Sequence, residues 1–300
     1  MASAAPRRAP DAPANEDDKL DIMDKYAAFV FDLDGTLWTG DTLIAGAQEV
    51  VDLLRFLGKK IYFVTNNSTK SRAGYMAKFQ ALNLKAHTSE VYGSAYAAAQ
   101  YLRSKWYRKK VYVIGEAGLM EEMKAAGITA IGGPRTADTE VGAVVVGLDR
   151  DISYYKIQYA LTCLLKNKDC LFIAANTDSR GNLGNSSQEW AGAGTMVGAI
   201  IGASEMEPVV VGKPSTFSMD QICKASGLSY NQLCIVGDRL DTDILWGNTH
   251  GCGTLLVLSG VTSEAQLKSE SNDIFPNHYV STIGDMLTVK EKLSSTCVIS

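Results

Sequence analysis

"FVFDLDGTLWTG", residues 29–40, opens as an apolar run and turns abruptly acidic. Phe29, Val30 and Phe31 read as a buried strand. Asp32 and Asp34 follow two positions apart, and at a strand's period of two their side chains would share a face. Two carboxylates on one face repel each other, and each resists desolvation unless a cation or a proton compensates it. The stretch therefore predicts something positive at the end of this strand.

Working outward, short apolar runs alternate with helical patterns, the signature of a parallel sheet covered by helices. "YAAFVF" (26–31), "KIYFVT" (60–65) and "KKVYVIG" (109–115) read as strands, with "AGAQEVVDLLRFLG" (45–58), "SRAGYMAKFQALNL" (71–84) and "SAYAAAQYLRSKW" (94–106) as helices around them. A second alternating stretch contains "VGAVVVGL" (141–148) and "CLFIAAN" (170–176). "VVVGKPS" (209–215), "LCIVGDRLDTDI" (233–244) and "GTLLVLSG" (253–260) come last. The expected fold is α/β: a doubly wound, Rossmann-like parallel-sheet core built from residues 20–108 and 206–300, with 109–205 inserted as a smaller α/β cap. Residues 1–19, Ala/Pro-rich at the start, are expected to be a disordered tail.

In open α/β sheets ligands collect beyond the carboxyl ends of the strands. Each chemically suggestive group lies at such an end: Asp32 and Asp34, then Thr65-Asn66-Asn67, Lys213 and Asp238. Asp32, Asp34, Asp238, Asp241 and Asp243 make a hard-oxygen set without His or Cys, which suits Mg²⁺ far better than zinc. Asp241 or Asp243 alone would also fit an ordinary turn or helix cap. An ion on Asp32 and Asp238 would leave positions for water and a phosphate oxygen. Asp32 could then attack phosphorus. Asp34 is placed to protonate the leaving alkoxide and afterwards to take a proton from water. Thr65 and Asn66 offer a hydroxyl and N–H donors, and Lys213 a point charge for phosphoryl oxygens. Read alone, "TNNS" is equally an ordinary polar helix entry and Lys213 an ordinary surface lysine.

The set resembles the haloacid-dehalogenase (HAD) superfamily of phosphatases. "DLDGT" matches its first motif, "VTNNS" its second, Lys213 its third and "GDRLDTDI" its fourth. "TNNSTKSRAGY", "QEWAGAGTMVGAI", "VGDRLDTDILWG" and "LVLSGVT" extend the likeness to the p-nitrophenyl phosphatase and phosphoglycolate phosphatase branch, especially its plant and algal type, over nearly all of residues 26–290. The resemblance implies that Asp32 is nucleophile and metal ligand, that Asp34 is general acid/base and lends its backbone carbonyl to the metal, and that Asp238 is a direct ligand. Thr65, Asn66, Asn67 and Lys213 become phosphate binders, and Asp243 a residue that orders metal-bound water. A substrate-selecting cap and a homodimer through it are also implied.

The expected activity is Mg²⁺-dependent hydrolysis of 2-phosphoglycolate through an aspartyl-phosphate, with a pyridoxal-phosphate or broad p-nitrophenyl phosphatase as the alternative. A catalytically silent scaffold is the reading from another class, but such proteins lose a nucleophile or metal ligand and none is missing here. No GxGxxG follows the first strand and no Walker loop is present, which argues against a nucleotide-binding domain. In the cap stretch "NTDSRGNLGNSSQEW" (176–190), Arg180 is a candidate for a substrate carboxylate, an exposed loop arginine being the ordinary alternative.

Bulk properties agree. With 46% hydrophobic and 21% charged residues the chain is globular, and a net charge of -4 gives no sign of a nucleic-acid partner. Six scattered cysteines without a CxxC fit a reducing compartment. No run reaches membrane-span length and no stable membrane association is expected, so the cytoplasm is the expected location, with the chloroplast as the alternative. Cys297-Val298-Ile299-Ser300 matches a prenylation pattern but lacks the usual basic neighbours, so the match is read as accidental.

Overall fold

The computed structural model describes residues 8–133, 140–182 and 189–297; 298–300 of the C-terminal motif lie outside them. The chain packs as two compact units, one of Met1–Val64, Leu82–Lys85 and Met219–Ser300, the other of Thr65–Ala81 and Ala86–Ser218. Among the described residues no helix is long and apolar enough to cross a membrane.

In the first unit, the strands His278–Val280, Gly253–Val257, Leu233–Gly237, Ala28–Phe31 and Lys60–Thr65 lie side by side in that order, all parallel. Every residue of Ala28–Phe31 and Leu233–Gly237 is buried, as expected of parallel strands covered on both faces. From Ala28–Phe31 the chain first adds a strand on one side and later returns to build on the other. That reversal opens a crevice beyond the carboxyl ends of Ala28–Phe31 and Leu233–Gly237. Phe31 pairs with Val236, so Asp32 and Asp238 leave neighbouring strands almost level. The pairing continues one residue further, with the Asp32 N–H on the Val236 carbonyl at 2.8 Å.

The expectation of a disordered tail through residue 19 needs correction, because Glu16–Lys25 is a helix. Asn15 and Asp18 form a reciprocal capping box (3.0 and 2.9 Å), and Ile22 and Met23 bury its inner face. The Ala14 N–H donates to the Tyr279 carbonyl at 2.8 Å. Composition hid a short amphipathic pattern. Asn15→Ala should cost about 1 kcal/mol, seen as a melting midpoint lower by roughly 2–4 °C; an unchanged midpoint would mean the helix adds nothing to stability.

In the second unit the parallel order is Val209–Val210, Leu171–Ala174, Val141–Val146, Lys110–Ile114, Ala130–Gly132. Alternation along Lys110–Ile114 feeds two cores. Val111 and Val113 pack with Ala95, Ala98, Ala99 and Leu102 of the helix Ser94–Ser104 and with Leu119 and Met123. Tyr112 and Ile114 pack with Tyr159, Cys163, Met196 and Ile200. Packing thus divides the chain elsewhere than at the expected 108/109 and 205/206. The alanine face of Ser94–Ser104 belongs to the same apolar core as the strand at 110–114, which draws residues 86–108 into the second unit.

Candidate active site

Within the first unit, one carboxylate oxygen from each of Asp32, Asp238 and Asp243 lies within 4.8 Å of the others. Asp238 and Asp243 are almost fully buried, at 2% and 1% exposure, and Asp32 is half-buried. At that separation, and at the effective dielectric typical of protein sites, each pair of charges repels by about 3–4 kcal/mol. Such a trio needs a cation or a proton to compensate it.

Backbone groups set the geometry. Asp238 Oδ2 accepts the Val261 N–H at 2.7 Å, and its carbonyl accepts the Thr262 N–H at 3.1 Å. Asp243 Oδ2 accepts the Arg239 N–H at 3.2 Å. The Ile244 N–H reaches back five residues to the Arg239 carbonyl at 3.2 Å, a wide helical turn that carries Asp243 next to Asp238. Arg239 grips Asp241 with two bonds of 3.0 and 2.7 Å, which accounts for Asp241, an exposed residue outside the trio.

Glycines keep the space beside these acids free of side chains. A Cβ on Gly35, which has φ of +87°, would sit 2.5 Å from Asp238 Oδ2; a Cβ on Gly260 would overlap the same carboxylate, and one on Gly237 would overlap Asp243. Ser259 Oγ donates to the Gly35 carbonyl at 2.7 Å, tying the loop after Gly253–Val257 to the loop after Ala28–Phe31. In that loop the fully buried Thr36 hydroxyl meets no hydrogen-bond partner among the described residues. An all-oxygen donor set with side-chain-free space beside it fits a hard divalent cation.

Asp34 is set apart. The regular strand stops at Phe31, so the alternation that would align Asp32 with Asp34 does not continue. Instead the chain folds back on itself: the Leu37 N–H bonds the Leu33 carbonyl at 2.9 Å and the Gly35 N–H bonds the Trp38 carbonyl at 2.7 Å. This brings the buried Trp38 indole N–H onto Asp34 Oδ1 at 2.8 Å. The trio holds Asp32 but not the Asp34 carboxylate. Trp38→Phe keeps an aromatic ring and drops this donor, so kcat should fall about tenfold with little change in KM; an unchanged kcat would show that the indole does not orient Asp34.

Within the second unit, Thr65, Asn66 and Lys213 come together and are buried. Thr65 Oγ1 accepts the Asn67 N–H at 3.1 Å. The Asn66 side chain binds the Lys213 backbone twice, giving Nδ2–H to the carbonyl (3.0 Å) and taking the N–H on Oδ1 (2.8 Å). Asn67 Oδ1 accepts from the N–H and hydroxyl of Thr69 at 3.0 and 2.7 Å, a local turn at the entry to the next helix. Arg180, on the short hairpin Arg180–Asn182/Glu189–Ala191, pairs with Glu189 at 2.7 Å and is exposed. Burial pushes the Cys170 and Cys252 thiols up to about 12, which makes them poor nucleophiles.

Gly260, the Val261 N–H and Trp38 were not singled out by sequence reasoning. The available signal was "LSGVT" at the end of another central strand, the same position that marked the acids.

A family model described as haloacid dehalogenase-like hydrolase matches residues 29–129, and a second HAD hydrolase-like model matches 210–286. The chain is 50% identical over 285 residues to phosphoglycolate phosphatase 1A, chloroplastic, of Arabidopsis thaliana, covering 90% of this chain and 78% of that one. Among solved structures it resembles the p-nitrophenyl phosphatase of Archaeoglobus fulgidus, with TM-score 0.80, 32% identity, and 88% and 99% of the two chains covered. It also resembles a glycerol phosphate phosphatase of Mycobacterium tuberculosis in complex with magnesium, with TM-score 0.76, 28% identity, and 88% and 76% covered. With these family models matched and half of its residues shared with a phosphatase over nine-tenths of its length, the chain belongs to the haloacid dehalogenase-like hydrolases and is one of the phosphatases among them.

Proposed function

We propose that the chain hydrolyses 2-phosphoglycolate to glycolate and phosphate with Mg²⁺ as its metal. The chemistry rests on the trio of Asp32, Asp238 and Asp243 within 4.8 Å. The substrate rests on the 50% identity, over nine-tenths of the chain, to an enzyme named for it.

Asp32, Asp238 and the Asp34 backbone carbonyl would hold the magnesium, with Asp243 ordering its water. Bound magnesium offsets the acids' mutual repulsion and draws charge from the phosphoryl oxygens. The Asp32 carboxylate attacks phosphorus, the ester P–O bond breaks, and the departing alkoxide takes a proton from Asp34. Asp34, now ionised, accepts a proton from water as that water attacks phosphorus, freeing phosphate and regenerating Asp32. Thr65, Asn66, Asn67 and Lys213 bind the phosphoryl group, Lys213 balancing its charge. An inserted α/β cap selects the substrate, and two copies pair through it. The location is the cytoplasm, or the chloroplast by analogy with the Arabidopsis relative named chloroplastic.

The test is kcat/KM for 2-phosphoglycolate, glycerol 3-phosphate, pyridoxal 5′-phosphate and p-nitrophenyl phosphate, with and without chelator. The expected result is the highest value for 2-phosphoglycolate and loss of all four activities in EDTA, restored by magnesium. A higher value for another ester replaces the substrate; full activity in chelator removes the metal.

A further inference from the structure

Asn66 has no side-chain N–H left over for a phosphoryl oxygen in its present arrangement. One Nδ2 proton goes to the Lys213 carbonyl (3.0 Å) and the other to Asp178 Oδ1 (2.9 Å), while Oδ1 accepts the Lys213 N–H (2.8 Å). The amide therefore meets Lys213 as a neighbouring strand would, donor to acceptor and acceptor to donor. Turned over, it would set like against like at both points. Asp178 reinforces the same orientation, because its carboxylate oxygen accepts the second Nδ2 proton.

Asp178 is itself held in place. Its N–H donates to Asn176 Oδ1 at 3.0 Å, its carbonyl accepts the Gly194 N–H at 2.9 Å, and Asn176 Nδ2 donates to the Asn66 carbonyl at 2.6 Å. That carbonyl also accepts the Ser94 hydroxyl at 2.5 Å. The fit is close: a Cβ on Gly212, just before Lys213, would come within 2.7 Å of Asn66 Oδ1. The ends of three strands and the start of one helix are thus joined through one asparagine, whose outer partner is Asp178. Buried networks of this kind fix a single geometry when every member is satisfied.

We propose that Asp178 is a positioning residue for the phosphatase reaction: through the Asn66 side-chain amide it fixes the backbone of Lys213, and so the approach of the lysine ammonium to the phosphoryl group. Asn66 then serves the substrate through its backbone N–H, its side chain being committed to Lys213. The inference rests on the reading of Lys213 as a phosphoryl binder, and the experiment separates the two.

The probe is inorganic phosphate as competitive inhibitor of the magnesium-loaded full chain, with kcat, KM and melting midpoint measured beside it. Lys213→Ala should weaken phosphate by about 20-fold or more, as for a lost charged contact. Asp178→Ala should weaken it by about 5–10-fold, the worth of one ordinary hydrogen bond, because the contact acts on phosphate only through Asn66. Asp178→Asn, which can still turn an oxygen towards Asn66, should stay within about twofold. Asn66→Asp sets two carboxylates face to face and should weaken phosphate; adding Asp178→Asn restores a donor–acceptor pair and should recover part of the loss. If Lys213→Ala weakens phosphate while Asp178→Ala moves only the melting midpoint, Asp178 is merely structural and the inference falls. An Asp178→Asn as damaging as Asp178→Ala would also overturn it, by pointing to charge rather than orientation. No effect of Lys213→Ala removes the underlying reading, and the inference with it. Should Asp178→Ala fail to fold, the Asn66→Asp single and double variants decide: recovery supports the inference and its absence overturns it.

Discussion

Replacing Asp32 with asparagine should lower kcat by on the order of 10⁴-fold or more, because a neutral amide cannot attack phosphorus. The shape is conserved, so the fold should survive. The same change removes one of three crowded charges. Without metal, the variant should therefore melt higher than the parent, by roughly 2–4 °C if about 1 kcal/mol of repulsion is relieved. With magnesium the order should reverse, since the parent gains more from the ion. The paired readout, turnover and metal-free melting point, distinguishes a nucleophile in a strained acid cluster from a carboxylate that only anchors a loop. Unchanged turnover contradicts the nucleophile, and a lower metal-free midpoint contradicts the strained cluster and points instead to a loop anchor.

Gly260→Ala should also be strongly damaging, although it adds one methyl group to a surface-connected loop. That methyl would occupy the place of the Asp238 carboxylate, while Val261 and Thr262 hold Asp238 through their N–H groups. Either the loop or the acid must move, and a misplacement near 1 Å at a reacting centre costs about 10²-fold. Both magnesium affinity and kcat/KM should fall by about that factor. Gly198→Ala is the control: within the helix Ala193–Ser204, a Cβ there meets nothing within 4 Å. It should be neutral in activity and stabilising by about 0.5–1 kcal/mol. Equal behaviour of the two variants would mean that the glycine does not shape the site.

Much of this arrangement is legible in the chain. A fully apolar parallel strand that ends in an acid states both its burial and its polarity, so Asp32 and Asp238 were found where they stand. The likeness of motifs assigned Asp243 to ordering water; spacing alone left it as a possible turn residue. Only the five-residue reach of Ile244 to Arg239 shows why its carboxylate joins the other two. The divergence of Asp32 from Asp34 was hidden because strand alternation was carried past the last strand residue, and a tight turn with Trp38 replaces it. Gly260 is illegible for a different reason: its role depends on a close approach to the Asp238 carboxylate at the end of the neighbouring strand, 22 residues earlier. The capped helix at Glu16–Lys25 is masked by the Ala/Pro-rich opening, against which Asn15 and Asp18 are a weak local signal. Small residues had the same effect on the unit boundary, since an alanine face gives a weak periodic signal yet packs closely.

The most direct measurement is to mix the magnesium-loaded protein with substrate carrying a radioactive phosphoryl group, quench in acid during turnover, and map the label. The account predicts a phosphorylated peptide containing Asp32, discharged by hydroxylamine as an acyl phosphate is, and absent from Asp32→Asn. Label on any other residue, or label that resists hydroxylamine, would contradict it.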